Sequence, residues 1–160
     1  ATDEVDADGL ALQVERYVTA NTEEAFLQWV DGAGKLAGFL RLSLPDQQVI
    51  REGQQRCASF PVREGEAMIR EVHVYGRTSR IHESSEGNQH QGLGRALVER
   101  ACQMAADVGF TAVNVISAVG TRAYYRSLGF EDAGLYQRRK LASEVLSSQH
   151  LVRPSATERL

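Results

Sequence analysis

The sequence predicts a mixed α/β fold, a largely antiparallel sheet with helices on its faces, and three observations predict it. Residues 10–18 and 36–44 alternate apolar and polar positions, the period of half-buried strands. Leu93, Leu97, Ala101, Met104 and Val108 fall four, four, three and four positions apart, which is one face of a helix. Residues 111–117 are nearly continuously apolar, as in a strand covered on both sides. Strand, helix and strand in that order form a crossover unit within the sheet.

The elements follow in order. Residues 1–9 are acidic and read as a flexible lead. In residues 10–18, Leu10, Leu12, Val14 and Val18 share one side of a strand. A short polar turn from Thr19 to Glu24 precedes a second strand, Ala25 to Val30. Asp31-Gly32-Ala33-Gly34 is turn punctuation. The cleanest strand follows, with Leu36, Gly38, Leu40, Leu42 and Leu44 on one face and Ala37, Phe39, Arg41 and Ser43 on the other; Pro45 ends it. Residues 46–66 read as a polar loop with room for a helical turn. Ala67 to Tyr75 is β-branched and aromatic, hence a strand, and Gly76 stops it. Residues 77–88 read as an exposed polar loop, and the helix spans about 92–108, with Gly109 as its C-terminal cap. After the strand at 111–117 come a short helix from Gly120 to Leu128, its stop at Gly129, and a last strand within Phe130 to Lys140. The domain is therefore 10–141, and 142–160 reads as a polar, partly disordered tail.

Composition narrows the function. With 160 residues, 42% apolar and 24% charged, the chain suits one globular domain. No apolar run approaches the roughly 18–20 residues that span a bilayer, and the start has no signal-peptide core, so the expectation is a cytoplasmic protein without a membrane partner. Cys57 and Cys102, 45 positions apart, make neither a disulfide framework nor a Cys-x-x-Cys pair, and the four histidines match no zinc spacing, so no metal is expected. A net charge of −3 gives no bulk attraction to nucleic acid. Arg122, Arg126, Arg138, Arg139 and Lys140 are either a local basic patch or a solvated face.

Gln89-His90-Gln91-Gly92-Leu93-Gly94-Arg95 opens the amphipathic helix. A helix start leaves four N–H groups without intrahelical partners and carries partial positive charge. A phosphate can accept those groups where no Cβ blocks it, and Gly92 and Gly94 have none. Paired glycines before a helix also occur as plain turn chemistry. The run fits Gln-x-x-Gly-x-Gly, the pyrophosphate turn of acetyl-CoA-dependent acetyltransferases.

Four segments together carry a resemblance: Arg70-Glu71-Val72-His73-Val74-Tyr75-Gly76, Gln89 to Gly94, Val115-Ile116-Ser117, and Gly120 to Phe130 with its Tyr124-Tyr125 pair. In this order they resemble the acetyltransferase domain of the Elongator catalytic subunit, a member of the GNAT superfamily; Gly38 to Leu42 resembles its early strand. The resemblance covers about residues 12–140. It implies the GNAT acyl-CoA N-acyltransferase fold: a mixed, mostly antiparallel sheet with a splayed central strand pair and flanking helices. The departures are specific. Two cysteines cannot supply the three-cysteine iron–sulfur motif of that family's radical S-adenosylmethionine domain, so the chain is either an excised C-terminal domain or a stand-alone relative. Ala118 stands where the family usually has Gly, and Leu135-Tyr136-Gln137 where it usually has Pro-Tyr-Met. The turn at 19–24 leaves no room for the two helices most GNAT domains place there, a shortening the Elongator-type domain shares.

The resemblance implies a mechanism. Acetyl-CoA is the co-substrate. Backbone N–H groups across Gln91, Gly92, Leu93, Gly94, Arg95 and Ala96 hold its pyrophosphate, with Gln89 also in the cofactor site and Arg95 adding charge. Glu71, Val72, His73 and Val74 hold the pantetheine arm sheet-fashion, and an N–H near Val74 polarises the acetyl oxygen. Tyr125 is the candidate acid for the departing thiolate, because a phenol with a pKa of about 10 stays protonated at neutral pH. Tyr124 points elsewhere and is a packing residue or a second candidate. Glu71 is the candidate base or an ion-pair partner; His73, on the same strand face, orients a water or packs. His90 reads as a turn or solvent contact. Three functions remain open: the acetyl-CoA part of an Elongator-like enzyme that modifies wobble uridine of tRNA with a radical S-adenosylmethionine domain; a stand-alone acetyltransferase acting on a lysine or small amine; and a non-catalytic acetyl-CoA or tRNA docking module.

Overall fold

A computed structural model describes residues 4–5, 9–59, 63–75 and 86–142, with side chains in the long helix from residue 92 onward. Strands β1 (Glu4–Val5), β2 (Ala11–Val18), β3 (Thr22–Val30) and β4 (Leu36–Pro45) form an antiparallel meander. Helix α1 (Gln47–Arg56) leads to β5 (Glu66–Val74), antiparallel to β4. The chain then crosses through α2 (Glu86–Asp107) to β6 (Ala112–Val115), which lies parallel to β5. A 3-10 turn, Val119–Thr121, enters α3 (Arg122–Ser127); the hairpin β7 (Glu131–Ala133) and β8 (Tyr136–Lys140) places β8 against β6. The strand order across the sheet is β1-β2-β3-β4-β5-β6-β8-β7.

The core lies between one sheet face and α2. Leu27, Leu40, Leu42 and Ile69 from the sheet meet Leu97, Val98, Ala101 and Ala105 from the helix, all essentially buried. The alternation read from residues 36–44 holds from Gly38 to Leu42; Leu36 is half-buried, and Ser43, expected on the other face, is buried beside Leu44. Gly109 and Gly129 each end a helix at positive φ, and the N–H groups of Phe110 and Phe130 reach back to Ala105 and Tyr125. Both are the glycine-capped helix ends that the sequence announces.

Several boundaries differ from expectation. β1 pairs with β2 inside the segment read as a flexible lead. β3 begins at Thr22 rather than Ala25, because Glu23 and Glu24 pair with Val18 and Tyr17, and Glu24 accepts a 2.6 Å hydrogen bond from Ser43. The segment 46–66 contains a full helix, α1. Asp46 caps it, accepting from the N–H groups of Gln48 (2.8 Å) and Val49 (3.2 Å). Its glutamine-rich sequence buries only Ile50, so no apolar stripe announces it. The last strand is a hairpin turned at Gly134, whose φ is +69°. Helix α2 starts at Glu86 rather than 92. The rest of the expected loop at 77–88, and the tail beyond 142, lie outside the described residues.

Candidate active site

The geometry that matters begins with one extra residue. Arg41 pairs with Glu71 and Leu42 with Ile69, so Arg70 has no partner on β4 and bulges out of β5. The bulge inverts the phase of the strand. Ala67 and Ile69 face the core before it; Val72 and Val74, rather than Glu71 and His73, turn toward the core side after it.

The same position is where β5 loses its second neighbour. Glu66 to Ile69 pair with Ala112 to Val115 of β6, and the ladder stops there. Beyond it Glu71 to Val74 pair with β4 alone, Tyr75 continues that pairing onto Ala37, and Ile116 is 65% exposed. Half the backbone N–H and C=O groups of residues 71–74 thus face an edge that no described strand covers. This is the splay of the central strand pair.

Three elements converge at the end of that edge. A Cβ on Gly94 would lie 2.7 Å from the Tyr124 hydroxyl and 3.6 Å from Val74 Cγ2. A Cβ on Gly38 would lie 3.0 Å from the His73 carbonyl oxygen and 3.5 Å from Val74 Cα. Glycine on either side is what lets α2, α3 and β4 close around Val74. Trp29, buried in the core, donates its indole N–H to the Leu93 carbonyl at 3.3 Å and anchors the glycine segment to the sheet. Gly92 differs from Gly94: a Cβ there would meet nothing within 4 Å.

The tyrosine pair divides. Tyr125 is 8% exposed and packs edge-on against Phe130 at 5.6 Å. Tyr124, half-buried, brings its hydroxyl to Gly94. Burial raises both phenols above their ordinary pKa, Tyr124 with an opposing effect from Arg95 and Tyr125 with a further push from Tyr124. Arg95 is exposed on α2.

Glu71 and His73 sit on the opposite sheet face. Glu71 is exposed, 3.8 Å from Arg41 and 3.9 Å from His73. His73 stacks on Phe39 at 5.1 Å. Glu71 thus makes loose ion pairs and His73 packs on a ring, with substantial exposure for each. The sequence reading missed that Phe39 also approaches Phe26 (6.0 Å) and Tyr75 (6.4 Å), so an aromatic row leads across the sheet to β5. Phe26 and Tyr75 lie diagonally from Phe39 across the ladder, so the row follows from the strand register, which the sequence alone does not give.

The side chains of Gln89, His90 and Gln91 lie outside the described residues, but their backbone is helical. Helical bonding runs through Gly92 and Gly94, so the amides without helical partners belong to the first turn from Glu86, not to the glycines. Glu86, Gln89 and Gln91 favour a helix in this run, while Gly87 and Asn88 weaken it, so its first turn is held less firmly than the stripe that follows. Among the described residues, no cluster of three or more His, Cys, Asp or Glu could hold a metal, and no helix is long and apolar enough to cross a membrane.

The arrangement has known relatives. The chain is 36% identical over 122 residues to the tRNA uridine(34) acetyltransferase of Dehalococcoides mccartyi, covering 72% of this chain and 24% of that protein. It is 34% identical over 128 residues to human Elongator complex protein 3, covering 78% of this chain and 22% of that one. The archaeal Elp3 of Methanocaldococcus infernus, solved without its first 46 residues, superposes with a TM-score of 0.64 at 27% identity, over 86% of this chain and 31% of that one. The chain thus spans about a quarter of the length of its curated relatives. The family model of the acetyltransferase (GNAT) family matches residues 3–130, and with a bulged, splayed β5 meeting a glycine-bearing α2 the chain belongs to that family.

Proposed function

We propose that this chain is the acetyl-CoA-binding domain of an Elongator-type enzyme that modifies wobble uridine in tRNA, acting with a radical S-adenosylmethionine domain that this sequence does not contain. One observation carries the reading: the uncovered β5 edge from Glu71 to Val74 ends where Gly94, Val74 and Tyr124 converge. The 36% identity to a protein named for tRNA uridine(34) acetylation supports the acceptor class.

The residues fit acetyl-CoA. The open edge offers the alternating donors and acceptors that an amide-bearing pantetheine arm needs, in the manner of an added strand. Open space over Gly92 and the exposed guanidinium of Arg95 suit a pyrophosphate. For the amides of Gly92 to Arg95 to bind it, the helical turn formed by 86–91 has to open. The N–H near Val74 polarises the acetyl carbonyl.

The departing thiolate needs a proton, and the tyrosine pair supplies it. The sequence favours Tyr125; the proximity of its hydroxyl to Gly94 supports Tyr124 instead, with Tyr125 holding the helix on the core. A raised phenol pKa keeps the proton in place at neutral pH. Glu71, exposed on the other face of the same strand, takes up a proton or orients the acceptor. In an enzyme with a radical partner, acyl transfer runs through both domains, and the domain alone binds and hydrolyses acetyl-CoA slowly.

The test is calorimetry with acetyl-CoA followed by turnover with and without tRNA. Saturable binding and acetyl-CoA hydrolysis stimulated by tRNA are the expected results. No binding at millimolar ligand removes the whole reading. Rapid turnover with a free amine and no response to tRNA replaces it with a stand-alone amine acetyltransferase.

A further inference from the structure

Tyr124 stands on a six-residue helix, too short to keep its shape unaided. Its position against Gly94 is therefore set by what holds α3. The core side is anchored by Tyr125, Leu128 and Phe130, which fix how deep the helix sits. They do not fix its N-terminal end, which follows an exposed stretch from Ile116 to Thr121 interrupted only by half-buried Ser117.

Thr121 bonds locally to the Ala118 carbonyl, and the amide of Gln137 ties this end of the helix to the sheet. Gln137, on β8, is completely buried. Its Nε2 donates to the Arg122 carbonyl at 3.0 Å and to Asp132 Oδ1 at 3.0 Å. Its Oε1 accepts from the Ser117 hydroxyl at 2.5 Å. Asp132 in turn grips Arg126 through two bonds of 2.6 and 3.2 Å. One side chain thus joins the exit of β6, the first residue of α3 and, through Asp132, the last turn of α3. The amide cannot be reversed, because the Arg122 carbonyl and the Asp132 carboxylate only accept.

We infer that Gln137 is a positioning residue: its amide clamps α3 at both ends and so holds the Tyr124 hydroxyl at the glycine segment. The inference rests on the reading of Tyr124 as the proton donor. A thioether of similar size fills the space but offers neither donor. Arg122 and Asp132 would then lose a buried donor and Ser117 an acceptor, and α3 would be free to shift while the glycine segment and the β5 edge stay in place.

The experiment places 3-fluorotyrosine at position 124 and reads its fluorine resonance in the native chain, in Gln137→Met and in Ser117→Ala, with calorimetry and acetyl-CoA turnover alongside. Gln137→Met is expected to move the Tyr124 resonance toward the solvent value and to cut turnover about tenfold, while acetyl-CoA affinity stays within about twofold, a split that general unfolding does not give. Ser117→Ala removes one arm of the clamp and is expected to move the resonance the same way by a smaller amount; it decides the matter if Gln137→Met fails to fold. An unmoved resonance in the folded variant overturns the inference. Failure of the native chain to bind acetyl-CoA overturns the proposed function instead, and the ligand-free resonances still report whether Gln137 sets the position of Tyr124.

Discussion

Tyr124 and Tyr125 are neighbours in the chain and serve different surfaces, because successive helical residues diverge by about 100°. Tyr125 shares its side of α3 with Leu128, one turn on, and both are buried. Tyr124 is left on the flank that meets α2. The pair was legible in the sequence, but which member faces the glycine segment was not, since that depends on where α3 lands. Tyr124→Phe is expected to lower acetyl-CoA turnover by about 10²-fold, the usual scale for losing a general acid, with little change in thermal stability. Tyr125→Phe keeps the ring and its contact with Phe130, and is expected to leave turnover within about threefold by the same reasoning. The reverse order, a large loss in Tyr125→Phe and a small one in Tyr124→Phe, measured with matched protein and acetyl-CoA, would return the acid to Tyr125. The cysteines divide in the same way. Cys57 is exposed and its pKa is lowered by a hydrogen bond with Ser59, so it is expected to react with a disulfide reagent within seconds to minutes; Cys102, buried on α2, is expected to react only on unfolding.

Among the elements, β5 and α2 decide the site, and each departs from its simple pattern at the functional end. The apolar alternation of β5 is visible in the sequence. The bulge at Arg70 is not, because a bulge is a property of two strands, and one chain segment read alone shows only a slip in phase. The apolar stripe of α2 is equally visible, whereas its start is not. The glycines suggest a helix beginning at 92, yet the helix continues back to Glu86 through a run that Gly87 and Asn88 weaken. This gives the phosphate reading a consequence that amide hydrogen exchange can check. Acetyl-CoA is expected to slow exchange across Gly92 to Ala96 and to speed it across Glu86 to Gln89, as the first turn gives way to phosphate contacts. Uniform protection of the whole helix would mean that the ligand binds at the Glu86 end without opening it. Helix α1 was missed for a different reason: with Ile50 its only buried residue, its evidence lies in the Asp46 cap rather than in periodicity.

At the scale of the whole molecule, buried acidic groups give folding a dependence on pH. Burial pushes the Cys102 thiol from 9.0 up to about 11, and burial also raises Tyr125 and Tyr124. The unfolded chain releases these protons at lower pH than the folded one. The stability these groups contribute is therefore full below pH 9, declines as pH rises from 9 to about 11 for the thiol, and falls further as the unfolded phenols ionise. Thermal melts between pH 7 and 11 are expected to show a plateau and then a fall, and Cys102→Ala is expected to flatten the first part of that fall while lowering the plateau. A decline of the same slope in the variant would assign the alkaline loss to the tyrosines alone.

The sequence by itself determined the types of the long strands and of α2, the core face of α2, the two glycine helix stops and the glycine–tyrosine pattern of the acetyltransferase family, because period, turn chemistry and short motifs are local properties. It also placed the chain beside the Elongator catalytic subunits, with which it shares about a quarter of their length. Only the tertiary structure decided that β5 loses its neighbour at Arg70, that Gly38 and Gly94 admit Val74 between them, that Trp29 holds Leu93, and that Gln137 ties down α3. Each of these joins segments from 15 to more than 60 residues apart, and their meeting is set by packing across the sheet rather than by any property of the segments themselves.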